Sequence, residues 1–323
     1  MVCPDSRESR IPTRGRDRRL LHLGNHPRPK RVAPPWKGRD KTEIVLLYFI
    51  TFYFQLYKLI SMIPYFNFEI IQLGPIAVHV WGLMVALGIA GGITFAYYFC
   101  KKYLFSGEVA VDMAIWMLVG ALIMARVFHV LFYDPVYFTQ NPEEIIKFWR
   151  GGASSLGGFT GAALALWWFA KKRRFTFKEL LPYLDISALG LWLGWGVGRL
   201  GCFLTHQHPG RLTGFIFGVK YAGGARFDLG LMESILGFTL FLVFYFLFKK
   251  LIRRRWGLVA GFSIASYASA RFFLDFLRAT PDFPGGDVRY FYLTPAQWGM
   301  LAVLGGLTLV YILGKMKRTK SAV

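Results

Sequence analysis

The sequence predicts an all-α, polytopic integral membrane protein, and three observations carry that expectation. Of its 323 residues, 54% are hydrophobic and 18% aromatic. From residue 44 onward, apolar runs recur that are long enough to cross a hydrocarbon core roughly 30 Å thick. Between them, lysines and arginines crowd alternate loops, as the positive-inside rule requires. The formal net charge of +21 does not point to nucleic acid, because the basic residues sit mainly between apolar runs, where lipid headgroups and topology account for them. Cys3, Cys100 and Cys202 show no pairing motif and no disulfide framework. Cys202 reads either as a catalytic thiol or as a small apolar residue in a helix.

In chain order, residues 1–42 hold twelve Lys/Arg, four Asp/Glu, several prolines and almost no apolar pattern, so they read as a basic, disordered extension. A further span over 43–63 would make an extra N-terminal helix, though Gln55 and Lys58 interrupt it. Met62 stands just ahead of the first strong span and is a second candidate start, which would make 1–61 an extension. The membrane domain is expected over 64–314. Its seven core spans fall near 76–100, 111–133, 155–170, 184–204, 229–248, 257–278 and 290–314, and a basic tail follows over 315–323. Loops 101–108, 171–178 and 249–255 and the tail carry 2, 5, 5 and 4 Lys/Arg. The alternate segments 64–75, 134–150, 205–228 and 279–289 carry 0, 2, 3 and 1. The richer set, with the C-terminus, belongs in the cytoplasm.

Arg199 interrupts the apolar run 184–204. A guanidinium inside a bilayer is costly, normally faces protein or water, and marks a ligand or ion path. With helical rise giving depth, Arg199, Arg271, Arg126 and His129 all lie in the outer half, with Glu233 and His79 near the outer ends of their spans. Arg126 and His129 share one helix face by their i,i+3 spacing. Three arginines against two acids, Glu233 and Asp275, suggest an anion site. The same spacing also allows purely local pairing, since Asp275 is four residues after Arg271 and three before Arg278. Gly190, Gly194 and Gly198 make a smooth helix face. The glycines around Ser154 and Ser155 open another helix, whose N-terminus could hold a phosphate or simply pack closely.

The order of motifs resembles the prolipoprotein diacylglyceryl transferase family from about Ile63 to Leu313. The landmarks are IIQLGPIAVHVWGLMVALG, ARVFHVLFYDP, WRGGASSLGGFTG, GRLGCFLTHQHPGR and RFFLDFLRATPD. The resemblance implies a seven-helix fold in the cytoplasmic (inner) membrane with its active site toward the outer face. It implies transfer of the diacylglyceryl group of phosphatidylglycerol to the lipobox cysteine thiol of prolipoproteins, forming a thioether, with no metal or other cofactor. Its partners would be that lipid and those precursors among the membrane lipids, with no nucleic acid. It casts Arg199, Arg271 and His129 as catalytic. It puts Arg199, Arg126, Arg271, Glu233, Gly201, Gly210 and Ser154 around the phosphatidylglycerol. The chain departs from the family where Cys202, Thr205 and Gln207 replace Asn, Asn and Glu, where Leu156 replaces a histidine, and where Trp81 replaces a tyrosine. The family's run before Glu233 is degraded around Phe227–Gly230. These departures leave His129, His206 or His208 as candidate replacements for the family's proton-handling groups, and they keep open a catalytically impaired phospholipid-binding relative. An anion transporter is the third reading, weakened by the lack of internal repeats.

The charge asymmetry makes a topological prediction. In intact cells an impermeant thiol reagent should label Gly223→Cys and spare Ser321→Cys. The reverse pattern would invert the orientation.

Overall fold

The computed structural model describes residues 45–53, 62–132, 135–147, 152, 154–280 and 289–320. The chain divides into two units, 1–56 and 57–323. In the first, a helix (α1) covers 45–53 with every residue exposed. The expected extension 1–42 lies outside the described residues, as does 54–61 of the expected first span. That span does not reach 63 as a helix, because Ile63–Pro64 is a short strand, β1.

The second unit is mostly helical. Its long helices are α2 (Val80–Lys102), α3 (Gly107–Phe132), α5 (Ser155–Lys172), α6 (Phe177–Leu204), α7 (Leu229–Ile252), α8 (Leu258–Leu274) and α9 (Pro295–Lys320), with a short α4 at Pro135–Gln140. Among the described residues, five are long and apolar enough to cross a membrane: α2, α3, α6, α7 and the Pro295–Leu313 part of α9. The expected spans 155–170 and 257–278 are also helices, but α5 has 18 residues and α8 only 17 before the chain tightens into a 3-10 turn at Asp275–Leu277.

The fold is not all-α. A hairpin joins β2 (Ile70–Leu73) to β3 (Ile76–His79) through Gly74, whose φ of +60° suits the primed turns of two-residue hairpin loops. The expected first core span therefore starts as a helix only at Val80. The α6–α7 connection folds into β4 (Pro209–Leu212), β5 (Val219–Tyr221) and β6 (Gly224–Asp228), and the four-stranded sheet has the order β1-β5-β6-β4. The β5–β6 turn uses Gly223 and Gly224, both at positive φ. Asp228, the last residue of β6, accepts the backbone N–H of Leu231 at 3.1 Å and so caps α7.

Glycines set the helix spacing. A Cβ on Gly88 would lie 2.5 Å from the carbonyl oxygen of Gly194, and one on Gly92 2.5 Å from that of Gly190. α2 and α6 therefore touch backbone to backbone, as small-residue faces allow. Gly237 meets Gly196 where α7 crosses α6, and the Ser234 hydroxyl donates to the Gly196 carbonyl at 2.8 Å. Polar side chains hold the helix starts. Thr176 and Glu179 form a reciprocal capping box on α6. Asp185, fully buried within α6, accepts the N–H groups of Gly257 at 2.6 Å and Ala260 at 2.8 Å and so caps α8 from a neighbouring helix. The apolar core around Phe99, Ile186, Leu189, Trp192 and Phe248 draws on the first two-thirds of α6. The last third, from Trp195 onward, carries Arg199 among apolar residues.

Inserting bulk at the α2–α6 contact should be expensive, since overpacking a tight core costs about 1–3 kcal/mol and a backbone contact has little room to yield. Gly194→Leu should lower the thermal midpoint of the detergent-solubilised protein by several degrees. Gly91→Ala, where nothing lies within 4 Å of the added methyl, should leave it unchanged.

Candidate functional site

Glu233 is the centre of the polar cluster. It enters on the first turns of α7 and is fully buried. Its Oε2 lies 3.0 Å from Arg199 Nε, its Oε1 lies 3.5 Å from Arg271 Nε, and the Tyr267 hydroxyl donates to Oε2 at 3.3 Å. Three helices, α6, α7 and α8, therefore meet through one carboxylate. Arg271 also pairs with Asp275 at 2.5 Å, and Arg278 Nε lies 3.4 Å from the same carboxylate oxygen. The other oxygen of Asp275 accepts the Thr294 hydroxyl. Thr294 and Gln297 in turn cap α9 reciprocally, with N–H to side-chain oxygen distances of 2.9 and 3.2 Å.

Among the described ion pairs of this cluster, three guanidinium groups share two carboxylates. Arg199, Arg271 and Arg278 face only Glu233 and Asp275 within these pairs. Of the three, Arg199 is the most accessible, with 19% of its side chain exposed against 6% for Arg271. Its guanidinium stacks over the Trp195 ring at 4.7 Å, which orients the planar fork. Arg278 keeps 16% of its side chain exposed, so two partly open guanidinium groups accompany a buried one, a set whose donors match the oxygens of a phosphate.

The structure brings together Arg199, Arg271 and Glu233 from the expected set. The remaining expected site residues have other evident work. Arg126 donates to the carbonyls of Ile145 at 2.9 Å, Gly152 at 2.9 Å and Glu144 at 2.5 Å. Its guanidinium thus folds the segment after α4 back onto α3. His129 lies beside this junction, because a Cβ on Gly152 would sit 2.5 Å from its Nε2. Ser154 is buried, and its hydroxyl accepts the Gly157 N–H at 3.3 Å. It is the N-cap of α5 and occupies a backbone donor that the sequence offered to a phosphate. Gly201 lets α6 approach α2, where a Cβ would meet Met84 at 2.7 Å. Gly210 bridges to Arg278, and its carbonyl accepts from Arg226 at 3.0 Å. His79 is the exposed N-cap residue of α2. Cys202 is buried in α6.

Two pairings were not legible in the sequence, which offered His206 and His208 only as replacement bases. His206 Nδ1 donates to Asp228 at 2.9 Å, Tyr221 donates to the same oxygen at 2.9 Å, and the His206 ring stacks on Tyr65 at 4.6 Å. Burial, followed by the charge of Asp228, pushes the Tyr221 phenol upward, so it stays a donor. His206 and Asp228 are 22 residues apart, so their pairing leaves no local signal in the sequence. The second feature is His208, whose Nδ1 lies 3.5 Å from Arg278 Nη2. Burial first, then Arg199, Arg278 and Arg271, hold its pKa down at about 3, so the ring is neutral at pH 7.

Comparison with known proteins places these residues in context. The family profile described as prolipoprotein diacylglyceryl transferase matches residues 69–313. A protein of Pseudomonas fluorescens strain Pf-5 is 33% identical over 273 residues, covering 81% of this chain and 99% of its own. One from Pseudoalteromonas atlantica is 32% identical over 258 residues, covering 76% and 90%. One from Nitrosomonas europaea is 33% identical over 256 residues, covering 77% and 90%. All three are named phosphatidylglycerol–prolipoprotein diacylglyceryl transferase.

His208 makes a pH prediction. With a folded pKa near 3 against an ordinary 6.5, the folded state binds fewer protons than the unfolded state between those values. Its contribution to stability is intact above pH 6.5 and falls by up to about 1.4 kcal/mol per pH unit as pH drops toward 3. His208→Gln should therefore flatten the acid limb of thermal midpoint against pH. Identical limbs in both proteins would refute it.

Proposed function

The chain belongs to the prolipoprotein diacylglyceryl transferase family, and on that premise we propose that it transfers the diacylglyceryl group of phosphatidylglycerol to the lipobox cysteine of prolipoproteins. The observation that carries the reading is the cluster of Arg199, Arg271 and Arg278 around Glu233 and Asp275, built where α6, α7 and α8 meet. Seven core helices span the inner membrane in this reading. The α6–α7 sheet lies on the outer side and the basic tail on the cytoplasmic side, in keeping with the loop charges.

The chemistry follows from charge. The cysteine sulfur, as thiolate, attacks the glycerol carbon that bears the phosphate ester. The C–S bond forms and the C–O bond breaks. Glycerol phosphate leaves with the bonding pair, and the thiol proton passes to solvent. The phosphate goes from one negative charge toward two, so guanidinium groups fixed around it favour the transition state over the ground state. Arg271 and Arg278 are held by Asp275, and Arg199 by Glu233 and Trp195, so little reorganisation accompanies the charge change. A cysteine thiol is already partly ionised near neutral pH, so attack does not demand a dedicated base.

A catalytically impaired lipid-binding relative is favoured by one specific observation. Leu156, in the first turn of α5, and Gln207, after the end of α6, are both exposed and offer no proton acceptor comparable to histidine or glutamate. Transfer of labelled phosphatidylglycerol to a lipobox peptide separates the readings, since binding without labelled peptide would favour the relative. Arg199→Ala should reduce transfer by at least about a hundredfold, with Arg199→Lys partly active because a point charge lacks the planar fork. Leu156→His should raise transfer, because a positioned proton acceptor contributes ~10²–10⁴-fold where geometry is complete.

A further inference from the structure

His208 follows the end of α6 within the stretch GRLGCFLTHQHPGR, and the fold delivers it to the arginine cluster. Its carbonyl accepts the N–H of Leu229, the first residue of α7, at 3.1 Å. Leu229 is one helical turn before Glu233. Two residues on, Gly210 bridges to Arg278. The strand β4 is thus pinned on both sides of the site, and the imidazole is part-buried against Arg278, 3.5 Å from Nδ1 to Nη2. Arginine can only donate, so Nδ1 accepts and Nε2 carries the proton.

We propose that His208 is a headgroup-binding residue of this chain: a neutral imidazole that accepts from Arg278 through Nδ1 and donates its Nε2–H to a phosphate oxygen held by Arg199 and Arg271. The inference rests on the functional reading above for the identity of the lipid, and on the geometry alone for the phosphate contact. The charged groups acting on the ring are Arg199 from α6, Arg271 from α8, and Arg278 and Asp275 from the turn after α8, with Glu233 of α7 binding two of these arginines. Burial first, and then the three arginines, keep the ring unprotonated before the anion arrives. A neutral donor adds a hydrogen bond without adding a fourth positive charge to a site that already holds three.

The test uses the full-length protein in detergent and measures the dissociation constant for labelled phosphatidylglycerol, with label transfer to a lipobox peptide as a separate readout. His208→Leu should weaken lipid binding about tenfold, the loss expected for one hydrogen bond to a charged acceptor. His208→Gln, a neutral donor, should recover most of it. Competition by inorganic phosphate should weaken in His208→Leu by the same factor. Unchanged phosphate competition would overturn the phosphate contact. Unchanged lipid affinity in a folded His208→Leu protein would overturn the proposal outright, whatever the wild type does in transfer. Loss of binding in His208→Leu with no transfer by wild type would support the site and sink the enzyme reading. Should His208→Leu fail to fold, wild-type affinity decides the matter. Constant affinity from pH 8 to pH 5.5 supports a neutral donor, and an inflection near the ordinary histidine pKa refutes it.

Discussion

A fully buried carboxylate, Glu233, organises this molecule. A charge in such a place is tolerable only when paired, and the pairing here recruits two neighbouring helices, α6 and α8. Arg199 comes from α6, Arg271 from α8, and Tyr267 from one turn earlier on α8. Such a network contributes little net stability against an apolar alternative, yet breaking it costs about 3–5 kcal/mol. Its value is positional. It fixes two guanidinium groups relative to each other inside an apolar bundle, where charge is little screened.

The rest of the fold serves that arrangement. Close glycine contacts let α2 and α7 press against α6, so its C-terminal third reaches the cluster without slack. Asp185 ties the start of α8 to α6, and the Asp275–Thr294 contact ties its end to α9. The small sheet between α6 and α7 holds Asp228 at the mouth of α7 and His208 beside Arg278. The polar cluster is therefore set by side chains outside it.

The sequence disclosed the parts whose signal is local. Apolar runs located the long helices, and the four-residue glycine spacing in 184–204 anticipated the α2–α6 contact. Arg199, Arg271 and Glu233 were legible because a charge in an apolar run has few innocent explanations. Arg126 looked the same by that criterion but serves the backbone: its partners are carbonyls 18 to 26 residues away, and carbonyl direction leaves no trace in a sequence. Ser154, read as a phosphate neighbour, caps α5, and both roles draw on the hydrogen bonding of a helix N-terminus. The strands were missed because β4 to β6 are three to five residues each and pair across a bulge and a glycine turn, below the length at which alternation is readable. His206 with Asp228 and His208 with Arg278 are consequences of that sheet, so they were hidden with it.

The central claim is that the guanidinium groups gathered around Glu233 hold the phosphate of an anionic lipid. Determining the structure with phosphatidylglycerol bound tests it most directly. The account predicts phosphate oxygens within about 3 Å of nitrogens of both Arg199 and Arg271, with Glu233 still between them. A phosphate bound elsewhere, with the Arg199–Glu233–Arg271 network unchanged and untouched by lipid, would contradict it.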